Sequence, residues 1–418
     1  MSRTVVIGVV TVLVLLVQCC GAATIAARRP RPFVAKRRNP TYAELEADSF
    51  FELANMTDMD AILDYTNPSS VLSEILVPRA VGSANLTRVQ GLVQNFFKDL
   101  GWHVERDDFD ADTPVGRRSF VNLVFTHDPN AARRLVLSAH LDSKYFATHP
   151  EDQFVGATDS AAPCAMMLDT AKALTPWLNQ RRDRIKAQGG EQGRDGQGET
   201  LQIVFFDGEE AFKDWTNEDS IYGAKHLASK WEQPTETPSP SKPVPPTPLQ
   251  RISHLVLLDL LGAPTPQIKS FYGNTEWLFN EFVYSEQRLG QLGLLWPGIK
   301  GDDYVESSQK SSSKHRSFFS TDAGGFFFGA VGDDHEPFLH RGVPVVHMIP
   351  LPFPRVWHTL KDDASALDLD TIKAWTLIIR ITLAEYLGLD PLQGNQAAIG
   401  DRVRNVIEPV QRRSQGDL

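Results

Sequence analysis

The stretch Leu201-Gln-Ile-Val-Phe-Phe-Asp-Gly-Glu-Glu-Ala-Phe212 decides how the chain is read. Residues 203–206 are β-branched or aromatic, the composition of a strand buried on both faces in the middle of a parallel or mixed sheet. The run ends in the turn signal Asp207-Gly208, and Glu209-Glu210 follows at once. Adjacent carboxylates at the end of a buried strand are costly to desolvate unless something uses them. In open α/β sheets this edge is where ligands bind. A metal can take one carboxylate and leave its neighbour free to carry a proton. Taken alone, the pair fits an acidic loop start better, so the rest of the chain has to decide.

Outward from this strand, other candidate strands also end in carboxylate or histidine. Residues 134–138 lead into Ala139-His140-Leu-Asp142-Ser, and residues 252–258 end at Asp259. Asp159 stands in Gly156-Ala-Thr-Asp-Ser160 ahead of a helix begun by Pro163, which Pro176 is expected to stop or kink. The last strand, 343–349, precedes Phe353-Pro-Arg-Val-Trp357-His358. Strands at 102–109 and 119–125 and helices at 42–53, 58–65, 87–100, 220–231, 275–290 and 370–387 complete the pattern, the last with its apolar residues along one face. Alternating strands and helices predict a single α/β domain, a mixed, mostly parallel twisted sheet with helices on both faces. Carboxylates and imidazoles meeting at one sheet edge suit zinc with an open position for substrate.

The chain of 418 residues is 42% hydrophobic, enough for one large core, and its net charge of -10 gives no reason to expect nucleic-acid binding. Residues 1–27 have a signal-peptide layout: Arg3, an apolar run at 5–17, then small residues. The basic residues of segment 28–40, Arg28-Arg-Pro-Arg31 and Lys36-Arg-Arg38, favour cleavage over a Golgi-type or ER signal anchor, because they follow the apolar run rather than precede it. Sequons at Asn55 and Asn85 fit a secreted glycoprotein. Of three cysteines, Cys19 and Cys20 lie in the leader, so Cys164 has no internal partner. Residues 41–390 form the domain. Residues 182–200 and 233–248 read as low-complexity insertions, 296–330 as a long irregular excursion, and 391–418 as a polar tail.

The segments Ala139-His-Leu-Asp-Ser143, Gly156-Ala-Thr-Asp-Ser160, Phe205-Phe-Asp-Gly-Glu-Glu-Ala-Phe212, Leu257-Leu-Asp-Leu-Leu-Gly262 and Trp357-His358 resemble the zinc aminopeptidase superfamily. Ala161-Ala-Pro-Cys-Ala-Met-Met167, Trp215, Asp333-Asp-His-Glu-Pro-Phe338 and Pro350-Leu-Pro-Phe-Pro-Arg-Val-Trp-His358 narrow the resemblance to its animal-type glutaminyl-peptide cyclotransferase branch. That resemblance implies a zinc-exopeptidase-like fold and cyclisation of N-terminal glutamine to pyroglutamate with loss of ammonia. It implies one zinc per chain on Asp159, Glu210 and His358. It makes Glu209 the general acid/base, with Asp259 and Asp333 as its hydrogen-bonding partners. Trp215, Phe353 and Trp357 would line the substrate pocket with His347 beside it, in a monomer acting on peptides and proteins. Ala139 and Gly332 depart from the family pattern, where a cysteine paired with Cys164 and a glutamine are common. The alternatives are a two-zinc aminopeptidase using His140, Asp159, Glu210, Asp259 and His358, and an inactive relative that only binds.

Overall fold

Six strands form one mixed sheet in the order β1-β2-β4-β3-β5-β6: β1 (His103–Thr113), β2 (Gly116–Thr126), β3 (Arg133–His140), β4 (Glu199–Phe206), β5 (Ile252–Leu258) and β6 (Val345–Met348). The computed structural model describes residues 44–55, 57–187, 198–235, 245–296, 316–320 and 331–392, and leader, basic segment and most of the tail lie outside them. Strands β3 to β6 run parallel, while β1 with β2 and β2 with β4 are antiparallel. The apolar runs of β3, β4 and β5 are buried almost throughout, as strands covered on both faces must be. Outer strand β1 instead carries Glu105, Arg106, Asp108, Asp110 and Asp112, charges that discourage pairing with another chain's edge.

Side chains alternate along each strand between two apolar layers. Leu135, Leu137, Ile203, Phe205, Val256 and Leu258 point into the larger one, with helices α1 (Ala47–Ala54), α4 (Ala84–Asp99), α5 (Ala162–Ala187), α7 (Glu276–Gln291) and α9 (Leu369–Leu387). Short helices α2 (Asp60–Leu63) and α3 (Val71–Ile75) belong to the same layer. Val136, Val204, Phe206, Leu255 and Leu257 face the other layer, with α6 (Tyr222–Glu232) and α8 (Glu336–Leu339). The connection from β3 leads to β4 on one side, and that from β4 returns to β5 on the other. The connections therefore part beside β3, the place where such sheets leave a crevice at their carboxyl edge.

Several expectations need correction. Pro176 neither stops nor kinks its helix enough to end it: α5 continues to Ala187. A proline here costs one backbone hydrogen bond, but the helix is buried on both sides of it through Leu178, and the Thr175 hydroxyl donates to the Ala171 carbonyl at 2.6 Å. The insertion read at 182–200 is correspondingly shorter, since 182–187 is helix and Glu199 already belongs to β4. Helix α9 is buried around nearly its whole circumference, not along one face, because it lies between α5 and α7. Within the excursion read at 296–330, residues 316–320 are anchored to the core: Phe318 stacks on Trp375, ring centroids 5.2 Å apart, and its N–H donates to Glu286 at 2.7 Å.

One buried ion pair joins the helices of the larger layer. Arg380 on α9 donates through Nε to Asp169 on α5 at 2.8 Å and through Nη1 to the Leu53 carbonyl at 3.0 Å, and none of either charged side chain reaches solvent. Removing one partner leaves the other charge buried, which typically costs ~3–5 kcal/mol. Arg380→Ala is therefore expected to lower unfolding stability in urea by about that amount. Combining Arg380→Leu with Asp169→Leu is expected to cost clearly less, and the two unfolding curves measure the difference.

Candidate active site and metal centre

The carboxyl ends of β3, β4, β5 and β6 deliver their following residues to one place. Beyond β3, His140 Nε2 lies 2.9 Å from Asp159 Oδ1, and Nδ1 lies 3.1 Å from the Asp142 carbonyl. The Asp142 carboxylate reaches across to β4's continuation, where it accepts the N–H groups of Glu209 at 3.2 Å and Glu210 at 3.4 Å. A single carboxylate thereby fixes the backbone of both glutamates. The turn before them needs Gly208, at φ 72°, because a Cβ there would sit 2.4 Å from the Phe120 ring.

Asp159 stands in an irregular turn, Ala157–Ala161, with non-helical angles at Asp159 and Ser160. Its support comes from distant parts of the chain. The fully buried Arg79 donates to the carbonyls of Leu141 at 2.7 Å, Gly156 at 3.1 Å, Asp159 at 3.5 Å and Val155. Asp362 Oδ1 accepts the Thr158 N–H at 2.8 Å and its hydroxyl at 2.9 Å. From β5, Asp259 accepts the Ser160 hydroxyl at 2.5 Å and the Leu260 N–H at 2.8 Å. Leu260 and His358 both hold φ 54°, left-handed backbone that costs a side-chain-bearing residue energy and tends to gather at functional sites.

Asp159, Glu209, Glu210, Trp215, Asp259, Leu260, Phe353, Trp357 and His358 line one cavity of about 200 Å³, with Val331, Gly332 and Ile349. Within it Asp159 Oδ2 and Glu210 Oε1 are buried without a hydrogen-bond partner. His358 Nε2 lies 3.4 Å from the first and 3.2 Å from the second. Two orphaned carboxylate oxygens and one imidazole nitrogen converging at the cavity floor fit a bound cation, and mixed oxygen and nitrogen donors fit zinc. Lys144 Nζ takes the other side of Glu210, 3.2 Å from Oε2. His140, Asp159 and Asp259 form a second group of close donor atoms that shares Asp159 with the first.

Glu209 is the candidate proton carrier beside these donors. Burial pushes its carboxyl well above the usual range, with Glu210, Asp333 and Asp334 adding to the shift and His140 opposing it. Burial, then Asp333, pushes Asp259 up to about 6. Asp333 acts on Glu209 through charge; the hydrogen bonds expected from Asp259 and Asp333 go elsewhere. Asp333 Oδ2 lies 2.7 Å from His347 Nε2, and Asp259 is held by Ser160 and Leu260. His347, expected beside the pocket, lies behind its wall and is wholly buried against Asp333. Trp215 and Trp357 are 46% and 40% exposed, which places them at the rim. Trp357 stacks on His358 with ring centroids 3.9 Å apart, and Phe353 packs edge-on against it.

Nothing in the sequence points to Arg79 or Asp362, or to a supporting part for Asp142. Neither Pro78-Arg79-Ala nor Lys361-Asp362-Asp363 carries a motif, and each looks like solvated loop. Only the fold shows that one is buried against backbone carbonyls and the other against a turn.

A family model described as peptidase family M28 matches residues 122–383. The chain is similar to the glutaminyl-peptide cyclotransferase of Drosophila melanogaster, 40% identical over 351 residues that cover 84% of this chain and 86% of the relative. It is 39% identical to that of Bos taurus over 343 residues, 81% of this chain and 87% of the relative. Among solved structures, the glutaminyl cyclase of Macrostomum lignano aligns at a TM-score of 0.67 and 35% identity, covering 86% of this chain and 99% of that one. A zinc-dependent exopeptidase from Parabacteroides distasonis, 19% identical at a TM-score of 0.51, shares the fold.

The Asp142 clamp makes a measurable claim. Asp142→Asn keeps the shape but turns an amide nitrogen toward one of the two glutamate N–H groups. Hydrogen bonds to charged groups contribute ~1.5–3 kcal/mol, so a stability loss of about 2 kcal/mol in urea unfolding is expected, together with reduced activity. Unchanged stability and activity would remove Asp142 from the clamp.

Proposed function

The chain belongs to peptidase family M28 and, within it, to the glutaminyl-peptide cyclotransferases, and from that premise we propose that it closes the N-terminal glutamine of peptides and proteins into pyroglutamate, releasing ammonia. One observation supports this reading above the rest. The orphaned oxygens of Asp159 and Glu210 meet His358 Nε2 at the floor of a cavity that also contains Glu209 and is walled by aromatic rings.

The reaction asks little of the protein beyond position and one proton transfer. The substrate's own α-amine attacks its γ-carbonyl carbon, the new C–N bond closes a five-membered ring, and the old C–N bond breaks to release ammonia. The nucleophile is already present, so no water needs activating. Asp159, Glu210 and His358 would hold one zinc, which as a Lewis acid polarises the γ-carbonyl. Glu209 takes the proton from the amine and gives it to the departing nitrogen, a shuttle one carboxylate can run in both directions. Trp215, Phe353 and Trp357 confine the short side chain in a ring-closing conformer, which lowers the entropic part of the barrier. An uncharged amide side chain fits the aromatic part of the wall, Trp215, Phe353 and Trp357.

A second reading has its own observation. His140, Asp159 and Asp259 would offer three donors to a second zinc, as a two-metal aminopeptidase requires. We favour one zinc, because a second cation near the amine would compete for the lone pair that must attack. The His140 contacts with Asp159 at 2.9 Å and the bonds from Ser160 and Leu260 to Asp259 support roles for both residues outside the ligand set. Exposed Asn55 and Asn85 support a glycosylated, secreted product, and among the described residues no helix is long and apolar enough to cross a membrane.

Incubation of purified enzyme with Gln-Ala and with Leu-p-nitroanilide separates the readings. Ammonia from the first with about one zinc per chain supports the cyclase; nitroaniline from the second with about two overturns it. Glu209→Gln is expected to retain zinc while kcat falls by ~10²–10⁴, because the shuttle is lost and the donors remain. A variant within a few-fold of wild type would show that Glu209 carries no proton. Glu210→Ala and His358→Ala are each expected to lose zinc, read by metal analysis after dialysis.

A further inference from the structure

A larger cavity, of about 480 Å³, opens at the sheet edge opposite the catalytic one. Arg134 stands at the start of β3, Gln202 in the first half of β4 and Arg251 directly before β5, whereas Glu209 and Glu210 follow the far end of β4. The outer rim includes Gln233, Pro234, Thr235 and Pro248, the described ends of the insertion between α6 and β5.

The charges in this lining do not balance. Lys230 and Glu105 answer each other: Lys230 Nζ lies 3.5 Å from Glu105 and 3.0 Å from Asp107. Arg134 and Arg251 have no such answer. Arg134 is only 7% exposed, and its guanidinium donates to the carbonyls of Ala131, of Arg133 at 3.2 Å and of Pro129 at 2.9 Å, all of them neutral acceptors. The Arg251 side chain makes no hydrogen bond or ion pair with any described residue. Strand pairing brings the two together, since Arg134 on β3 pairs with Ile252 of β5, the residue after Arg251. Burial pushes the Arg134 guanidinium down to about 10, and repulsion from Arg251 adds to that shift while Asp128 opposes it. Thr126, Gln202 and Trp231 add neutral wall. A buried cation facing a second cation is costly unless an anion joins them. A guanidinium presents a planar fork of donors that matches two oxygens of an oxyanion, and such charge-assisted bonds are the strong ones.

We propose that this cavity is a binding site for an oxyanion, a phosphate or sulfate group, held between Arg134 and Arg251 at the sheet edge remote from the active site. The site does not depend on the cyclase reading. Its occupant removes the repulsion between the two guanidinium groups and takes donors that the fold leaves without a charged partner.

Calorimetric titration of the purified enzyme with inorganic phosphate and, separately, inorganic sulfate at constant ionic strength tests this. One ion per chain is expected to bind with Kd near or below about 1 mM, and the ion that binds tighter identifies the source of the group. Arg251→Glu is expected to weaken binding at least about tenfold while kcat and KM for Gln-Ala stay within about twofold, because only the anion loses a partner. Arg251→Gln, which removes the charge without adding another, serves the same comparison where Arg251→Glu does not fold. A bound zinc also attracts oxyanions, so the titration is repeated on His358→Ala, where the affinity is expected to be unchanged. Absence of binding by either ion at about 20 mM, equal affinity in the Arg251 variants, or loss of binding in His358→Ala would each overturn the proposal.

Discussion

The constraint on which the structure depends is the burial of many carboxylates at one sheet edge. Asp142, Asp159, Glu209, Glu210, Asp259, Asp333 and Asp334, drawn from separate segments of the chain, are all shielded from solvent there. Their mutual repulsion in a medium that screens poorly would be prohibitive if all were charged and unpaired. Each is therefore given a separate answer. Asp142 is neutralised by two backbone N–H groups and His140. Asp333 is held below its usual range by His347 against the opposing effect of burial, while Asp334 beside it is pushed well above. Glu210 has Lys144 on one oxygen. What is left over, one oxygen of Asp159 and one of Glu210 facing His358, is the charge a metal would take up.

That division separates groups by the work they can do. Donors at the cavity floor keep a free lone pair, whereas Glu209, carrying no bond from Asp259 or Asp333, remains able to accept and release a proton. The side chains behind the wall, His347 among them, set the local potential without touching what enters. A substrate bound here would meet only the front layer, and the aromatic rim would govern how it enters.

The sheet makes this arrangement affordable in a single chain. Four parallel strands end together, so residues separated by more than two hundred positions arrive within hydrogen-bonding distance. The turn bearing Asp159 shows the consequence: it is tied to Arg79 before it, to Asp259 after it, and to Asp362 near the end of the domain. Buried helices such as α9, with the Arg380–Asp169 pair inside, hold the sheet from behind and leave the carboxyl edge open.

How much of this was written in the sequence can be said residue by residue. The apolar run at 203–206 and its carboxylate ending announced a buried strand with a site beyond it, because burial on both faces leaves a continuous apolar signature and a carboxylate there needs a use. Asp159, Glu209, Glu210 and His358 were legible through long, specific motifs, and the structure brings them into one cavity. Pro176 misled because local propensity is weak beside the burial of a long helix, and 370–387 misled because periodicity does not distinguish a helix packed on one side from one enclosed. Arg79 and Asp362 were invisible because their partners are backbone groups, which leave no pattern in a sequence. The place of His347 behind Asp333 depends on which side of a wall a side chain falls. Only the tertiary structure decides that, since it is set by the packing of segments that lie far apart along the chain.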